Sequence, residues 1–218
     1  MTRRFSGKNI WWFIGLLLVV FLASLAIGSV SIDPATLIQL VTHQLPGITP
    51  DPQWLDQHAT LSTILFQLRL PHAILMLLVG AALGGSGAAY QGLFRNPLAD
   101  PYVIGVASGA GLGAILAMSF QFPYTSAGLL MVPLAAFGMA VGTVWLVYSL
   151  ARVGKTVPTT NLILAGVAVS SLATALTSFL MLRSQGELRR AVAWLLGGGS
   201  LTGWQPVIAC LPYILVGL

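Results

Sequence analysis

The chain has 218 residues, of which 56% are apolar and only 7% are Asp, Glu, Lys or Arg. Because a typical soluble domain carries about 25% charged residues, this composition excludes a soluble enzyme, a nucleic-acid-binding domain and a disordered chain. The 10 basic and 5 acidic residues give a net charge of +5, and the basic residues lie between apolar blocks, which indicates an integral membrane protein.

The first apolar block covers residues 10–30 and follows Arg3, Arg4 and Lys8. A basic start before an apolar stretch is also typical of a cleaved signal peptide, but the apolar core of such a peptide is roughly 7–15 residues long. This block is longer and close to the roughly 20 residues that cross a bilayer. It therefore predicts a retained membrane helix.

Residues 31–68 form the longest polar interval, which we expect on the outer side of the membrane. Asp33 followed by Pro34 is typical of a helix start, with a capping carboxylate and a proline in the first turn. The pair predicts a short interfacial helix over residues 35–44. Prolines, a glycine and several polar residues predict a loop over residues 45–57.

Further apolar blocks cover residues 73–93, 102–120, 126–150 and 160–182, and a short helix is predicted over residues 184–196. A sixth block begins near Trp204 and is still apolar at Leu218. Because no aromatic or basic anchor follows, we expect the chain to be cut off within a larger protein. The predicted fold is all-α: one polytopic membrane domain over residues 1–218 with about six transmembrane helices.

Basic residues in alternate gaps favour a cytoplasmic N-terminus. With that orientation the inner side holds six of them: Arg3, Arg4, Lys8, Arg95, Arg152 and Lys155. The outer side holds four: Arg69, Arg183, Arg189 and Arg190. The only inner acid is Asp100, whereas the other four acids lie outside and cancel the outer bases.

Small and weakly polar residues recur at about one-turn spacing in two of the blocks. They are Gly80, Gly84, Gly87 and Gln91 in the second block, and Gly105, Ser108, Gly109 and Gly113 in the third. In lipid, small residues let helix backbones approach closely, which supplies the van der Waals contact that holds helices together. The pattern predicts helix packing, with helices that slide as a pathway opens as a second interpretation.

Serine and threonine residues in the fifth block, such as Ser171, Thr177 and Ser178, have two interpretations. They bond the carbonyl four residues earlier in their own helix, or they line a weakly polar path. No Asp, Glu, Lys or Arg lies near the middle of any block. Because intramembrane charges mark proton and ion relays, their absence argues against a proton-coupled carrier.

Nothing in the sequence indicates catalysis, a cofactor or a metal site. The tripeptide Gly154-Lys155-Thr156 resembles the end of a phosphate-binding loop, but Ser149 stands where that motif needs its first glycine. No His, Cys, Asp and Glu residues have the spacing of metal ligands. The single Cys210 cannot form a disulfide within the chain. We therefore expect no enzyme activity in this chain.

Several ungapped motifs give the chain a family resemblance. They are RLP at residues 69–71, QGLFRNPLADP at 91–101, GVASGA at 105–110, LAGVA at 164–168 and WLLGG at 194–198. Together they resemble the permease subunits of the FecCD family, which are the membrane parts of ATP-driven importers for ferric siderophores, haem and vitamin B12. The resemblance covers the chain from Asp33 onward.

The resemblance implies an architecture and a set of partners. The fold would be that of a type II importer permease with ten helices, of which this chain supplies about six, in a bacterial inner membrane. The partners would be a second permease subunit in a homo- or heterodimer, two cytoplasmic ATPase subunits and a periplasmic or lipid-anchored binding protein. The coupling helices would follow Leu218. Ferric siderophore is the first candidate cargo, with haem and cobalamin open.

The resemblance also assigns roles by position. Arg69 and His72 match the outer motif that docks the binding protein, although His72 replaces an arginine and weakens the positive charge at neutral pH. An interfacial anchor is the alternative role for Arg69. The gate loops on the inner side would contain Asn96, Pro97 and Leu98 in one loop, and Thr159 and Thr160 in the other.

Two other functions remain open on sequence grounds. A secondary transporter with inverted repeats predicts similarity between halves and intramembrane coupling charges, and neither is visible. A membrane scaffold or truncation product that transports nothing is the third interpretation.

Overall fold

The computed structural model describes residues 7–45, 51–97, 99–120, 126–183, 188–197 and 203–217. The chain forms two compact units. Unit 1 consists of Met1–Ala82 and Leu201–Leu218, and unit 2 consists of Leu83–Ser200.

Regular structure in the described ranges is helical, apart from one isolated β-bridge between Val153 and Thr156. The α-helices are α1 (Gly7–Ala26), α2 (Pro34–Thr42), α3 (Pro52–Thr63), α4 (Leu70–Phe94), α5 (Val106–Ser119), α6 (Ser126–Ala151), α7 (Thr159–Arg183), α8 (Leu188–Leu195) and α9 (Gln205–Gly217). A π-helical segment at Ile64–Arg69 joins α3 to α4, and a 3-10 turn at Pro101–Ile104 precedes α5. The predicted all-α fold is confirmed.

The core of unit 1 joins α1, α2 and the π-helical segment. It contains Leu25 from the end of α1, Ile32 from the following turn, Leu37 and Leu40 from α2, and Leu65 from the π-helical segment. Leu65 is only 1% exposed. The side chain of Asp33 accepts a hydrogen bond from the backbone N of Ala35 at 3.1 Å, as the helix-start pattern predicts.

The predicted loop over residues 45–57 is wrong from Pro52 onward, because α3 begins there. The side chain of Asp51 accepts a hydrogen bond from the backbone N of Gln53 at 3.0 Å, and Pro52 occupies the first turn. A proline after a capping carboxylate starts a helix as readily as it interrupts one. Residues 46–50 of the predicted loop lie outside the described residues.

The core of unit 2 is α5, whose buried residues lie on several sides of the helix. It packs against α6, α7 and α8. The apolar block predicted over residues 102–120 is divided at Gly105, whose φ of +84° turns the chain between the 3-10 turn and α5. The 14 residues of α5 rise about 21 Å at 1.5 Å per residue, less than the roughly 30 Å of a hydrocarbon core.

Three described helical stretches are long and apolar enough to cross a membrane: Asp56–Phe94, Met131–Ala151 and Thr159–Arg183. Three shorter apolar helices accompany them at Ile10–Ala26, Val106–Ser119 and Gln205–Gly217. The membrane character is therefore evident in the described ranges, and the count of six spans stays a prediction.

Candidate functional site

The Arg69 end of α4 is organised around the guanidinium of Arg69. Its Nη1 donates hydrogen bonds to the carbonyl oxygens of Leu25 at 2.7 Å and Ala26 at 3.2 Å, and Nη2 donates to the carbonyl of Val30. The last carbonyls of a helix have no partner within the helix, and a cation near a helix C-terminus is electrostatically favourable. Arg69 therefore caps the C-terminal end of α1.

Gly28 makes room for this arrangement. A Cβ atom at Gly28 would lie 2.5 Å from Nη2 and 2.9 Å from Cζ of Arg69, so any side chain there displaces the guanidinium. The sequence pattern does not reveal this role, because Gly28 and Arg69 are far apart in the chain. The glycine itself, near the end of the first apolar block, is the one signal that the sequence offers.

His72 lies one turn after Arg69 and is exposed. Both residues line a groove of about 410 Å³ between α1 and the first part of α4. Apolar side chains form most of its wall, including Phe21 and Met76. The structure thus brings Arg69 and His72 to one groove, with Arg69 half-buried against α1 and His72 open to its surroundings.

The Asn96 end of α4 closes with a defined turn. The backbone N of Asn96 donates to the carbonyl of Gln91 at 3.2 Å, and the N of Arg95 donates to the carbonyl of Gly92 at 3.3 Å. This pair of bonds is a Schellman motif, with Arg95 in the left-handed position at a φ of +49°. Gln91, assigned to packing or pathway, is exposed and supplies only its carbonyl to these bonds.

The first predicted gate loop follows this turn. Asn96 and Pro97 are exposed, whereas Leu98 lies outside the described residues. Asp100 ends the loop, because its side chain accepts a hydrogen bond from the backbone N of Tyr102 at 2.8 Å and caps the 3-10 turn.

The second predicted gate loop leads into α7, where Thr159 and Thr160 form the exposed first residues of the helix. The 3-10 turn packs against α7 at Gly166. A Cβ atom at Gly166 would overlap the carbonyl oxygen of Val103 and lie 3.1 Å from Cα of Ile104. The two loops thus flank one packed contact, and Gly166 is a packing residue that sequence reasoning did not single out.

The glycines with four-residue spacing have different surroundings in α4 and α5. A Cβ atom at Gly109 would lie 2.9 Å from the carbonyl oxygen of Met139, and one at Gly113 would lie 2.7 Å from Cβ of Met139. A Cβ atom at Gly105 would lie 3.0 Å from Cγ2 of Thr143 and 3.1 Å from Oγ of Ser170, and the hydroxyl of Ser108 donates to the carbonyl of Gly105 at 3.1 Å. The backbone of α5 therefore approaches α6 closely.

No such contact is present at Gly80, Gly84 or Gly87. A Cβ atom at any of the three would meet nothing within 4 Å in the described part of its own unit. The stripe on α4 is open within these residues, whereas the stripe on α5 is filled by a neighbouring helix.

Three hydroxyl groups of α7 bond to the backbone of their own helix. Ser171, Thr177 and Ser178 donate to the carbonyls four residues earlier, at 2.8–2.9 Å. Within the described ranges, no three His, Cys, Asp or Glu side chains gather where they could hold a metal ion. The described residues around α4, α5 and α7 thus form apolar surfaces and helix–helix contacts.

Comparison with known proteins points to one family. A family model described as the FecCD transport family matches residues 16–218. The cobalamin import system permease protein BtuC of Halobacterium salinarum is 42% identical over 158 residues, which are 72% of this chain and 42% of that protein. An uncharacterized ABC transporter permease protein, YvrB of Bacillus subtilis, is 35% identical over 205 residues, 92% of this chain and 56% of that protein.

A further relative and a solved structure agree. The vitamin B12 import system permease protein BtuC of Salmonella newport is 34% identical over 221 residues, 98% of this chain and 61% of that protein. A structure described as an inward-facing conformation of a proposed metal-chelate type ABC transporter superposes with a TM-score of 0.72 and 30% identity, covering 97% of this chain and 60% of that one. The chain thus spans 42% to 61% of the length of these relatives.

These findings confirm the family resemblance of the sequence motifs, and the permease names of the relatives agree with the expectation that the chain is not an enzyme. The family model extends across both units and includes the Arg69 and Asn96 ends of α4. The chain belongs to the FecCD transport family.

Proposed function

We propose that this chain forms part of the membrane path of an ATP-driven, binding-protein-dependent importer. The observation that carries the proposal is the family match over residues 16–218. Under this proposal the ATP is hydrolysed by separate cytoplasmic subunits, a binding protein delivers the cargo outside, and a second permease subunit completes the path. The absence of charges from the middle of the apolar blocks suits a path for a bulky cargo, because strong binding sites slow release.

The proposed cargo is a metal chelate. Two of the relatives described above are named as cobalamin or vitamin B12 permeases, which makes cobalamin the first cargo to test. Ferric siderophore, favoured by the sequence resemblance, is the second candidate, and haem is the third. All three are metal complexes held by an organic ligand.

The proposed docking point for the binding protein is the part of the groove between α1 and α4 that is lined by His72 and Arg69. His72 is exposed there, whereas the guanidinium of Arg69 donates two hydrogen bonds to the end of α1 and one to Val30 in the following turn. Arginine has five N–H donors, so a guanidinium that caps α1 can also contribute charge to a partner. We propose that Arg69 stabilises this part of the groove and contributes positive charge, and that His72 makes the direct contact with the binding protein.

The proposed gate comprises Asn96, Pro97 and Leu98 in one loop and Thr159 and Thr160 in the other. The packing of the 3-10 turn on Gly166 supports this proposal. A movement of the first loop would be transmitted through that contact to α7 and so to the second loop. The 25 residues of α4 extend about 37 Å, more than the roughly 30 Å hydrocarbon core. The docking residues and the first gate loop would therefore face opposite sides of the bilayer.

The proposed orientation has the N-terminus, and hence the Asn96 end of α4, in the cytoplasm. Cysteine labelling tests it, in a background in which Cys210 and any other cysteine of the full-length protein are replaced. His72→Cys should react with an impermeant maleimide in intact cells, and Asn96→Cys should react only after the cells are opened. Labelling of both positions from the same side contradicts the proposed path.

The decisive experiment is uptake into proteoliposomes. The full-length permease is reconstituted with its ATPase subunits and binding protein, and uptake of radiolabelled cobalamin, a ferric siderophore and haem is measured. We expect uptake of one chelate that needs both ATP and the binding protein, and no uptake with a hydrolysis-deficient ATPase. Uptake driven by an ion gradient without ATP would favour a secondary transporter. No uptake of any chelate would favour a scaffold.

A further inference from the structure

The π-helical segment leaves one backbone carbonyl without a donor in its own helix. In an α-helix the carbonyl of Phe66 would accept from the N–H of Leu70, but that N–H donates to Leu65 instead, as in a π-helix. With π-helical bonding the next donor for Phe66 would be residue 71. Residue 71 is proline, which has no N–H.

The indole of Trp204 supplies the missing donor. Its Nε1 donates to the carbonyl oxygen of Phe66 at 3.0 Å across 138 residues of sequence. Both residues are half-buried. An unpaired carbonyl in an apolar environment costs free energy, and a buried indole N–H likewise needs an acceptor. The bond therefore satisfies two groups that would otherwise be unpaired.

The backbone around Trp204 holds the indole in place. Gly203 adopts a φ of +81°, a backbone conformation that residues other than glycine rarely adopt. The carbonyl of Trp204 accepts a hydrogen bond from the N of Ile208 at 3.0 Å, which begins α9. The backbone is therefore constrained on both sides of Trp204. The hydrogen bond to Phe66 connects the start of α9 to the junction between α3 and α4.

We propose that Trp204 is a positioning residue for the Arg69 end of α4, where the binding protein is proposed to dock. Its hydrogen bond stabilises the π-helical form of residues 64–69. A π-helical turn contains an additional residue relative to an α-helical one, and each helical residue turns by about 100°. Conversion to α-helix would rotate α3 relative to Arg69 and remove the guanidinium from the end of α1. The assignment of a docking role to this end rests on the function proposed above.

A double-mutant cycle tests the inference directly. Trp204→Phe removes the donor and keeps an aromatic ring, whereas Pro71→Ala restores an N–H at position 71. In the full-length protein in lipid nanodiscs, Trp204→Phe should lower the midpoint of thermal unfolding, and the loss should be smaller in the Pro71→Ala background. Trp12→Phe is the control, because the side chain of Trp12 is 81% exposed.

The second measurement is docking. The affinity of the binding protein is measured below both unfolding midpoints, so that loss of folded protein does not contribute. Trp204→Phe should reduce binding-protein affinity by about 2- to 10-fold, the effect of one net hydrogen bond on an equilibrium, and Trp12→Phe should not.

The outcomes separate this inference from the proposed function. Equal losses from Trp204→Phe in the wild-type and Pro71→Ala backgrounds would overturn the assignment of Trp204 as the replacement donor, even if the wild type binds its partner. Unchanged docking by Trp204→Phe in a protein that docks normally would overturn the positioning role. No docking by the wild type, with the cycle as expected, would overturn the proposed function and leave the hydrogen bond established.

Discussion

Replacing Gly113 by alanine should weaken the packing of α5 against α6. A Cβ atom at Gly113 would lie 2.7 Å from Cβ of Met139 and 2.8 Å from the carbonyl carbon of Ala135. Carbon atoms in favourable contact are about 3.5–4.0 Å apart. Because Ala135 contributes its backbone to the overlap, a rotamer change cannot remove it, and the helices have to move apart by roughly 1 Å.

Two free-energy terms oppose each other in this substitution. Overpacking a well-packed site costs about 1–3 kcal/mol, whereas glycine to alanine within a helix gains at most about 1 kcal/mol of helix propensity. The overlap with backbone atoms places the cost in the upper part of its range, so we expect a net loss of about 1–2 kcal/mol. At roughly 2–4 °C per kcal/mol for a chain of this size, the unfolding midpoint should fall by about 2–8 °C.

The assay is thermal unfolding of the full-length protein in lipid nanodiscs. Gly138→Ala on α6 is the matched control, because a Cβ atom there would meet no described residue within 4 Å. That change should leave the midpoint unchanged or raise it slightly. An unchanged midpoint for Gly113→Ala, or an equal fall for Gly138→Ala, would refute the close approach of α5 to α6.

Three further substitutions test the Arg69 end of α4. Gly28→Ala should displace the guanidinium of Arg69 and destabilise the protein by about 1.5–3 kcal/mol, the range for hydrogen bonds to a charged group. Gly15→Ala should not, because a Cβ atom there has no neighbour within 4 Å among the residues that the structure describes. Arg69→Lys should cost a similar amount, and the double variant should lose little more, because both remove one interaction; additive losses would contradict a shared contact. His72→Arg should increase the association rate of the binding protein by up to about fivefold at low salt, since an exposed ion pair contributes up to about 1 kcal/mol, and the gain should disappear at high salt. Gln57→Arg, also exposed, is its control, and an equal increase there would show a general charge effect rather than docking at residue 72.

Local signals were sufficient for most helices. The segments predicted over residues 73–93, 126–150 and 160–182 correspond closely to α4, α6 and α7, because continuous apolar runs are a property of neighbouring residues. The error at α3 has a local cause as well. The α3 segment is polar and its proline is typical of a loop, although Asp51 and Pro52 repeat the helix-start signal of Asp33 and Pro34.

The glycine stripes show where local pattern is insufficient. Gly80 and Gly84 have the same spacing as Gly109 and Gly113, yet only the second pair lies against another helix in the described residues. Spacing defines a face of a helix, whereas the neighbour of that face depends on how the chain folds back. The same limit applies to Gly166, whose partner is the 3-10 turn.

The amino-acid sequence alone determined that the protein is helical, embedded in a membrane and similar to a transport family. Composition, hydropathy and ungapped motifs do not depend on which distant residues meet in the fold. Tertiary structure decided that Arg69 caps α1, that Gly28 leaves space for it, and that Trp204 donates to the carbonyl of Phe66. The partners in the two hydrogen-bonded pairs are 44 and 138 residues apart. Only the folded chain brings such donors and acceptors within hydrogen-bonding distance.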